Sequence, residues 1–125
     1  MKKAVLLIED NILLTKLYEA GLKREGLEVV VAHNGEEGLN AISEHLPDMI
    51  LLDLNMPLMG GVQVLEAIRS NPKTKDLKVI VITISAKDGD EEKVKALGVY
   101  DYIVKSETDL DQIVNRVLAC LDCKV

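Results

Sequence analysis

The chain has 125 residues and a formal net charge of -6, and these two values bound its class. The length fits one domain with a single buried core, which we predict over residues 1–125. The negative charge argues against direct nucleic-acid binding, because phosphates require a basic face. No apolar run is long enough to cross a bilayer, and residues 1–3 lead into a strand without a cleavage site. We therefore expect a cytoplasmic protein that does not bind a membrane.

Apolar runs alternate with helical periodicity along the whole chain. Runs rich in Val, Ile and Leu predict strands at residues 4–8, 28–33, 49–52, 78–84 and 102–104. Apolar residues at helical spacing predict helices around residues 14–22, 39–46, 64–68 and 110–121, with a weakly apolar one at 88–97. Asn34 and Thr108 precede acidic first turns and are predicted as N-caps. Such alternation predicts a three-layer α/β/α sandwich with right-handed crossovers.

Charged residues follow three of the predicted strands at the point where each strand ends. Glu9 and Asp10 follow the first, Asp53 follows the third, and Lys105 follows the fifth. The carboxyl ends of parallel strands form the binding edge of an open sheet, so we expect these groups to meet there. Carboxylates about 5 Å apart repel by roughly 1 to 3 kcal/mol per pair. A hard divalent cation with oxygen ligands, such as Mg²⁺, would relieve that repulsion.

The same edge has the groups needed for phosphoryl chemistry. A carboxylate such as Asp53 can act as a nucleophile towards phosphorus and form an aspartyl phosphate. Magnesium and the Lys105 ammonium would neutralise charge on the phosphoryl oxygens. Ser85, just past the fourth strand, adds a hydroxyl donor. The sequence therefore predicts a cation pocket with room for a phosphoryl group.

Four stretches together carry a family resemblance: residues 7–11, 52–61, 85–86 and 101–105, in this order and at strand ends. With them the chain resembles the receiver domains of response regulators in two-component signalling, and the match runs from Lys3 to Leu121. The resemblance implies a flavodoxin-like, doubly wound fold with five parallel strands in the order 2-1-3-4-5. It also implies a signalling domain that promotes only its own phosphorylation and dephosphorylation.

The resemblance assigns a metal site. Asp10, Asp53 and the backbone carbonyl of Asn55 would bind Mg²⁺ or Mn²⁺. Glu9 would help directly or through a water molecule. Pro57 and the glycines at 60 and 61 would shape the loop that presents the Asn55 carbonyl.

The resemblance also assigns the phosphoryl site and the switch. Asp53 would accept a phosphoryl group from the phosphohistidine of a sensor histidine kinase or a histidine phosphotransfer protein. Ser85 would hold a phosphoryl oxygen, Lys105 would pair with the phosphate, and Tyr102 would turn inward as an aromatic switch. The surface of the fourth helix, fifth strand and fifth helix would then change and be recognised by a downstream protein, as a monomer or a weak phosphorylation-dependent dimer.

Residues 88–97 have two interpretations by composition, because they contain few apolar anchors. They form either a solvated surface helix or a movable element, and the resemblance favours the movable one. Other residues have ordinary interpretations. Cys120 and Cys123 close a helix rather than open one, so we expect reduced, unreactive thiols. His33 and His45 lack ligand partners at a suitable spacing and are expected to be surface or packing residues.

Four positions depart from the commonest family pattern: Gly60, Ser85, Tyr100 and Ser106. The last has the largest structural consequence. Ser106 follows Lys105 where a proline, often in a cis peptide, is usual. A cis bond is far more costly before any other residue, so the Lys105–Ser106 peptide is either trans, with Lys105 aimed differently, or cis under strain.

Three alternative functions remain open from the residues. One is a degenerate receiver that binds partners without phosphorylation, which the Ser106 departure keeps open. Another is a phosphohydrolase of the haloacid dehalogenase type, although that family needs an acid two residues after its nucleophile, where this chain has Asn55. The last is a flavodoxin-like FMN carrier, although the acidic residues 9–10 would repel its phosphate.

Overall fold

The computed structural model describes residues 2–84 and 90–122, in which strands and helices alternate. The strands are β1 Ala4–Ile8, β2 Glu28–Ala32, β3 Met49–Asp53, β4 Lys78–Thr83 and β5 Asp101–Val104. The helices are α1 Ile12–Arg24, α2 Gly35–Glu44, α3 Gly61–Ser70, α4 Asp90–Leu97 and α5 Leu110–Asp122, and a 3₁₀ turn covers Lys105–Glu107. None of the helices within the described ranges is long and apolar enough to span a bilayer.

All five strands are parallel and lie in the order β2-β1-β3-β4-β5, which confirms the predicted fold. The central strand β3 is buried along its whole length. Two apolar clusters cover the two faces of the sheet. One contains Leu7, Leu51 and residues of α1 and α5, and the other contains Leu6, Ile50 and residues of α2 and α3. A sheet buried on both faces explains the run of aliphatic residues without Phe or Trp.

Strands β2 and β4 are each one residue shorter than predicted. The amide of His33 donates to Glu37 Oε1 at 2.8 Å, and the amide of Ile84 donates to Asn55 Oδ1 at 2.7 Å. In both cases a side chain accepts the hydrogen bond at the position where the ladder would otherwise continue. Side-chain hydrogen bonds, one local and one between distant segments, therefore set these two strand ends.

The two predicted helix caps had different outcomes. Asn34 Oδ1 accepts from the amide of Glu37 at 2.8 Å, which confirms the N-cap of α2. The prediction for Thr108 was wrong, because Asp109 and Gln112 form a reciprocal capping pair at the start of α5. The 3₁₀ turn covers the three residues before Thr108, and the Thr108 hydroxyl donates back to the carbonyl of Val104. The helix nevertheless begins at Leu110, where the apolar pattern starts.

Helix α4 lies at the surface, and Val94 is its one buried residue within the described range. Its C-terminal end is fixed by Arg69, whose guanidinium donates to the carbonyls of Leu97 and Gly98 at 2.7 to 3.2 Å. The same guanidinium also donates to the carbonyls of Lys75 and Leu77. Burial lowers the pKa of Arg69. The described part of α4 thus has few buried contacts and one strong attachment, at its C-terminal end.

The cysteine and histidine predictions concern residues away from the strand ends. Cys120 is buried in α5, and this burial raises the pKa of its thiol to about 11, which agrees with an unreactive thiol. Cys123 lies outside the described residues. His33 and His45 are both exposed, so of the two predicted alternatives they are surface residues.

Candidate functional site

Three carboxyl groups meet at the carboxyl-terminal edge of the sheet, as the strand-end pattern predicted. One oxygen each from Glu9, Asp10 and Asp53 lies within 4.8 Å of the others. Glu9 and Asp53 are only 1% and 2% exposed, and Asp10 is half-buried. Strands β1 and β3 are neighbours in the sheet, which explains the proximity of residues more than forty positions apart.

Lys105 joins this cluster from the end of β5. Its Nζ lies 3.2 Å from Glu9 Oε1 and 3.3 Å from Asp53 Oδ1, and its side chain is 16% exposed. The structure contains no cis peptide within the described residues, so the Lys105–Ser106 bond is trans. The Lys105 ammonium therefore contacts both Glu9 and Asp53 although the peptide bond after Lys105 is trans. Among the residues that the structure describes, three carboxyl groups lie together and one ammonium contacts two of them, which leaves an excess of negative charge at a largely buried site.

The environment of Glu9 shows the effect of this excess. Burial, followed by the charge of Asp53, raises the pKa of Glu9 to about 7. Two contacts act in the opposite direction: the amide of Asn11 donates to Glu9 Oε2 at 3.1 Å, and Lys105 lies beside the other oxygen. The site thus favours a proton, or another cation, on Glu9 near neutral pH.

This raised pKa predicts how stability depends on pH in the absence of divalent metal. The folded state holds a proton on Glu9 that the unfolded state has lost, from about pH 4.5 up to about pH 7. The free energy of unfolding should therefore fall as pH rises through this window, by about 2 to 3 kcal/mol. Glu9→Gln should remove this contribution, as judged by urea unfolding in EDTA at pH 5, 6, 7 and 8.

Glu25, which is exposed at the end of α1, gives the matched control for this experiment. Glu25→Gln should reproduce the wild-type pH profile. Equal slopes for the wild type and Glu9→Gln between pH 5 and pH 7 would contradict the role of Glu9.

The segment between β1 and α1 is held by local hydrogen bonds that the sequence analysis missed. Asn11 Oδ1 caps α1 by accepting from the amide of Leu14 at 2.9 Å. The buried Thr15 hydroxyl donates to the carbonyls of Asn11 and Glu9 at 2.8 and 3.2 Å. An Asn directly before a helical pattern was the available signal. These bonds fix the backbone that places Glu9 and Asp10.

The loop after β3 is tied to both Asp53 and β4. The amide of Asn55 donates to Asp53 Oδ1 at 3.0 Å, and the amide of Leu54 donates to the carbonyl of Ile82 at 2.9 Å. Asn55 Oδ1 accepts from the amide of Ile84 at 2.7 Å and from Thr83 Oγ1 at 3.2 Å. The sequence analysis predicted a role for the Asn55 carbonyl, and the structure adds these bonds of its side chain.

Gly61, at the start of α3, packs directly against the backbone of the phosphoacceptor candidate. A Cβ on Gly61 would lie 2.5 Å from the Asp53 carbonyl oxygen and 2.6 Å from Leu54 Cα. Gly61→Ala should therefore lower the free energy of unfolding by about 2 kcal/mol, because the backbone must shift to admit the methyl group. Urea unfolding measures this loss.

The adjacent glycine provides the matched control. A Cβ on Gly60 would meet no atom closer than the Leu54 carbonyl oxygen at 3.9 Å. Gly60→Ala should change stability by less than about 1 kcal/mol, which allows for the poorer N-cap. Equal stabilities of the two variants would contradict the close packing inferred at Gly61.

The remaining predicted residues lie around this cluster. Tyr102 is half-buried, its hydroxyl oxygen is buried, and its ring packs against the apolar cluster that includes α3. Lys95 Nζ lies 5.9 Å from the centroid of this ring, and Tyr100 is 49% exposed on the same side. Ser85 lies outside the described residues. The structure therefore brings together Glu9, Asp10, Asp53 and Lys105 and places Asn55 next to them. Tyr102 lies on β5, the strand that Lys105 follows.

The donor set fits a hard divalent cation. Three carboxyl groups supply oxygen ligands, which Mg²⁺ and Mn²⁺ prefer. Asp10 is half-buried, so part of the cluster is open to solvent and to an incoming ligand. The excess of acids over ammonium and the raised pKa of Glu9 both indicate that a bound cation would lower the electrostatic energy.

Comparison with known proteins gives a consistent result. The family model for the response regulator receiver domain matches residues 5–118. The polar-differentiation response regulator DivK of Brucella anthropi is 35% identical over 105 residues, covering 84% of this chain and 85% of the relative. The Mn²⁺-bound form of response regulator Rcp1 aligns with a TM-score of 0.84 and 30% identity, covering 94% of this chain and 92% of that one. The phosphorylated cyanobacterial phytochrome response regulator RcpA aligns with a TM-score of 0.81 and 31% identity, covering 95% and 92%.

Proposed function

The chain belongs to the response regulator receiver domain family, and on this premise we propose that it is a signalling switch phosphorylated on Asp53. The observation that carries the proposal is the position of Asp53, which is buried, lies within 4.8 Å of Glu9 and Asp10, and has Lys105 Nζ 3.3 Å from its Oδ1. A buried carboxylate with an ammonium beside it and a cation pocket around it is suited to accept a phosphoryl group.

The metal site is the first element of this proposal. Glu9, Asp10, Asp53 and the backbone carbonyl of Asn55 would hold Mg²⁺ or Mn²⁺, and the Mn²⁺-bound form of Rcp1 supports this assignment. When bound, the ion would supply positive charge that offsets the negative charge of the phosphoryl oxygens. The chain's own residues hold the ligand atoms in place, since the Asn55 amide and Lys105 both contact Asp53 Oδ1.

The transfer step is a displacement at phosphorus. An oxygen of the Asp53 carboxylate forms a bond to phosphorus, the N–P bond of a phosphohistidine breaks, and its electron pair returns to the imidazole nitrogen. Lys105 lies close enough to Asp53 to pair with the transferred group. We assign the donor to a sensor histidine kinase or a histidine phosphotransfer protein, and we assign Ser85 as a further hydroxyl donor.

The output of the switch would be a changed surface on α4, β5 and α5. Tyr102 lies on β5, and Lys95 Nζ of α4 lies 5.9 Å from the centroid of its ring. We propose that it is the aromatic switch and that a downstream protein binds the altered surface in the cytoplasm. The solved structure of phosphorylated RcpA supports the first step of this proposal, which is phosphorylation of the chain.

Incubation with acetyl phosphate tests the proposal. In Mg²⁺ the intact mass of the wild type should increase by one phosphoryl group, and fragmentation should locate that group on Asp53. EDTA should prevent the modification. An unmodified protein after incubation in Mg²⁺ would contradict the proposed function and would favour a receiver that binds partners without phosphorylation.

A further inference from the structure

The side chain of Asn55 links two segments that meet at the site. Its Oδ1 accepts from the backbone amide of Ile84 at 2.7 Å and from the hydroxyl of Thr83 at 3.2 Å. An amide N–H can only donate, so the acceptor must be the oxygen of the Asn55 carboxamide. The loop after β3 is therefore joined to the end of β4 by a side chain, beyond the last ladder bond.

The main chain of the same residue faces the acidic cluster. The Asn55 amide donates to Asp53 Oδ1 at 3.0 Å. Its carbonyl is the backbone ligand assigned above to the metal. Asn55 is exposed and lies outside the strand, so neither helix nor sheet hydrogen bonds restrain it. Besides the bond of its own amide to Asp53, the contacts of its side chain with Ile84 and Thr83 restrain its backbone orientation.

We propose that the Asn55 carboxamide is a positioning group that preorganises the metal-binding backbone of the loop after β3. By holding residue 55 against β4, it directs the amide of Asn55 towards Asp53 and keeps the carbonyl turned towards the cation pocket. This inference rests on the proposed metal and phosphoryl site. It adds a role for a side chain that itself contributes no ligand atom.

The position of the acceptor oxygen makes the role specific to short amide or acid side chains. Alanine at position 55 would keep the backbone amide and carbonyl but lose the bond to Ile84. Aspartate would keep an acceptor oxygen at the same distance from the backbone, so it would keep that bond. Support for the metal site from outside its ligand set typically changes affinity tenfold or more.

The test combines two measurements that do not depend on phosphorylation. Hydrogen exchange followed by NMR should show a protected Ile84 amide in the wild type and in Asn55→Asp, and a rapidly exchanging one in Asn55→Ala. Calorimetric titration with Mg²⁺ should show binding about tenfold weaker in Asn55→Ala than in the wild type. No metal ligand atom is removed by this substitution.

Asn71 supplies the matched control, because its Oδ1 accepts from the amide of Lys73 at 2.9 Å in the exposed connection between α3 and β4. Asn71→Ala should leave both Ile84 exchange and Mg²⁺ affinity unchanged. Equal Mg²⁺ affinity in the wild type and Asn55→Ala would overturn the inference, as would an unprotected Ile84 amide in the wild type. Failure of acetyl phosphate to modify Asp53 would instead count against the proposed function and leave these two results interpretable.

Discussion

Asp53→Asn is expected to carry no phosphoryl group after incubation with acetyl phosphate and Mg²⁺, and to be more stable than the wild type in EDTA. Phosphorylation is lost because the amide lacks the carboxylate oxygen that forms the bond to phosphorus. Stability rises because one of three clustered acids loses its charge, while Lys105 keeps its contact with Glu9 at 3.2 Å. We expect a gain of about 1 to 3 kcal/mol in the free energy of unfolding. Intact mass and urea unfolding measure the two effects.

Adding Mg²⁺ should affect the two proteins differently. It should raise the free energy of unfolding strongly in the wild type and weakly in Asp53→Asn, because the variant has less repulsion between carboxylates for the ion to relieve. Asp76, exposed before β4 at the opposite edge of the sheet, gives the control, and Asp76→Asn should behave as the wild type in both assays. A phosphorylated Asp53→Asn protein, or one destabilised in EDTA, would contradict the account of the cluster.

Lys105→Met is expected to have the largest effect on stability. The ammonium lies 3.2 and 3.3 Å from two carboxyl groups that are almost completely buried. Its removal leaves those groups facing each other, and loss of one partner from a buried ion pair costs about 3 kcal/mol or more. The loss of stability should be large at pH 8 and smaller at pH 5. At pH 5 Glu9, with a pKa of about 7, is protonated and uncharged, so it no longer needs the ammonium. Urea unfolding in EDTA at the two pH values measures the difference.

Lys23 provides the comparison for this substitution. It pairs with Glu19 at 2.9 Å on the exposed face of α1, and such a pair contributes about 0.3 to 0.5 kcal/mol. Lys23→Met should therefore change stability only slightly and equally at both pH values. A loss in Lys105→Met that is the same at pH 5 and pH 8 would show that Glu9 is not the group whose charge Lys105 offsets.

The fold and most of the site could be predicted from the sequence because both depend on pattern and topology. Alternating aliphatic strands and helices indicate a parallel sheet, and a parallel sheet brings the ends of its strands to one edge. Glu9, Asp10, Asp53 and Lys105 all occupy that edge in the structure. Their proximity therefore followed from where the apolar runs stop.

Contacts between segments far apart in sequence could not be predicted in this way. The bond from Ile84 to Asn55 and the four carbonyls bound by Arg69 depend on how loops approach one another. The start of α5 shows a different limit, since Thr108 and Asp109 are both good caps by residue type. The local 3₁₀ turn before them decides in favour of Asp109, because the Thr108 hydroxyl is bonded back to the carbonyl of Val104.

Amide NMR spectra of the wild type before and after phosphorylation test the central claim most directly. Phosphorylation of Asp53 should shift the amides around the acidic cluster and also those along α4, β5 and α5, including Tyr102. Asp53→Asn, treated in the same way, should give an unchanged spectrum. Shifts confined to the residues that contact Asp53, with α4, β5 and α5 unaffected, would contradict the claim that this domain is a phosphorylation-dependent switch.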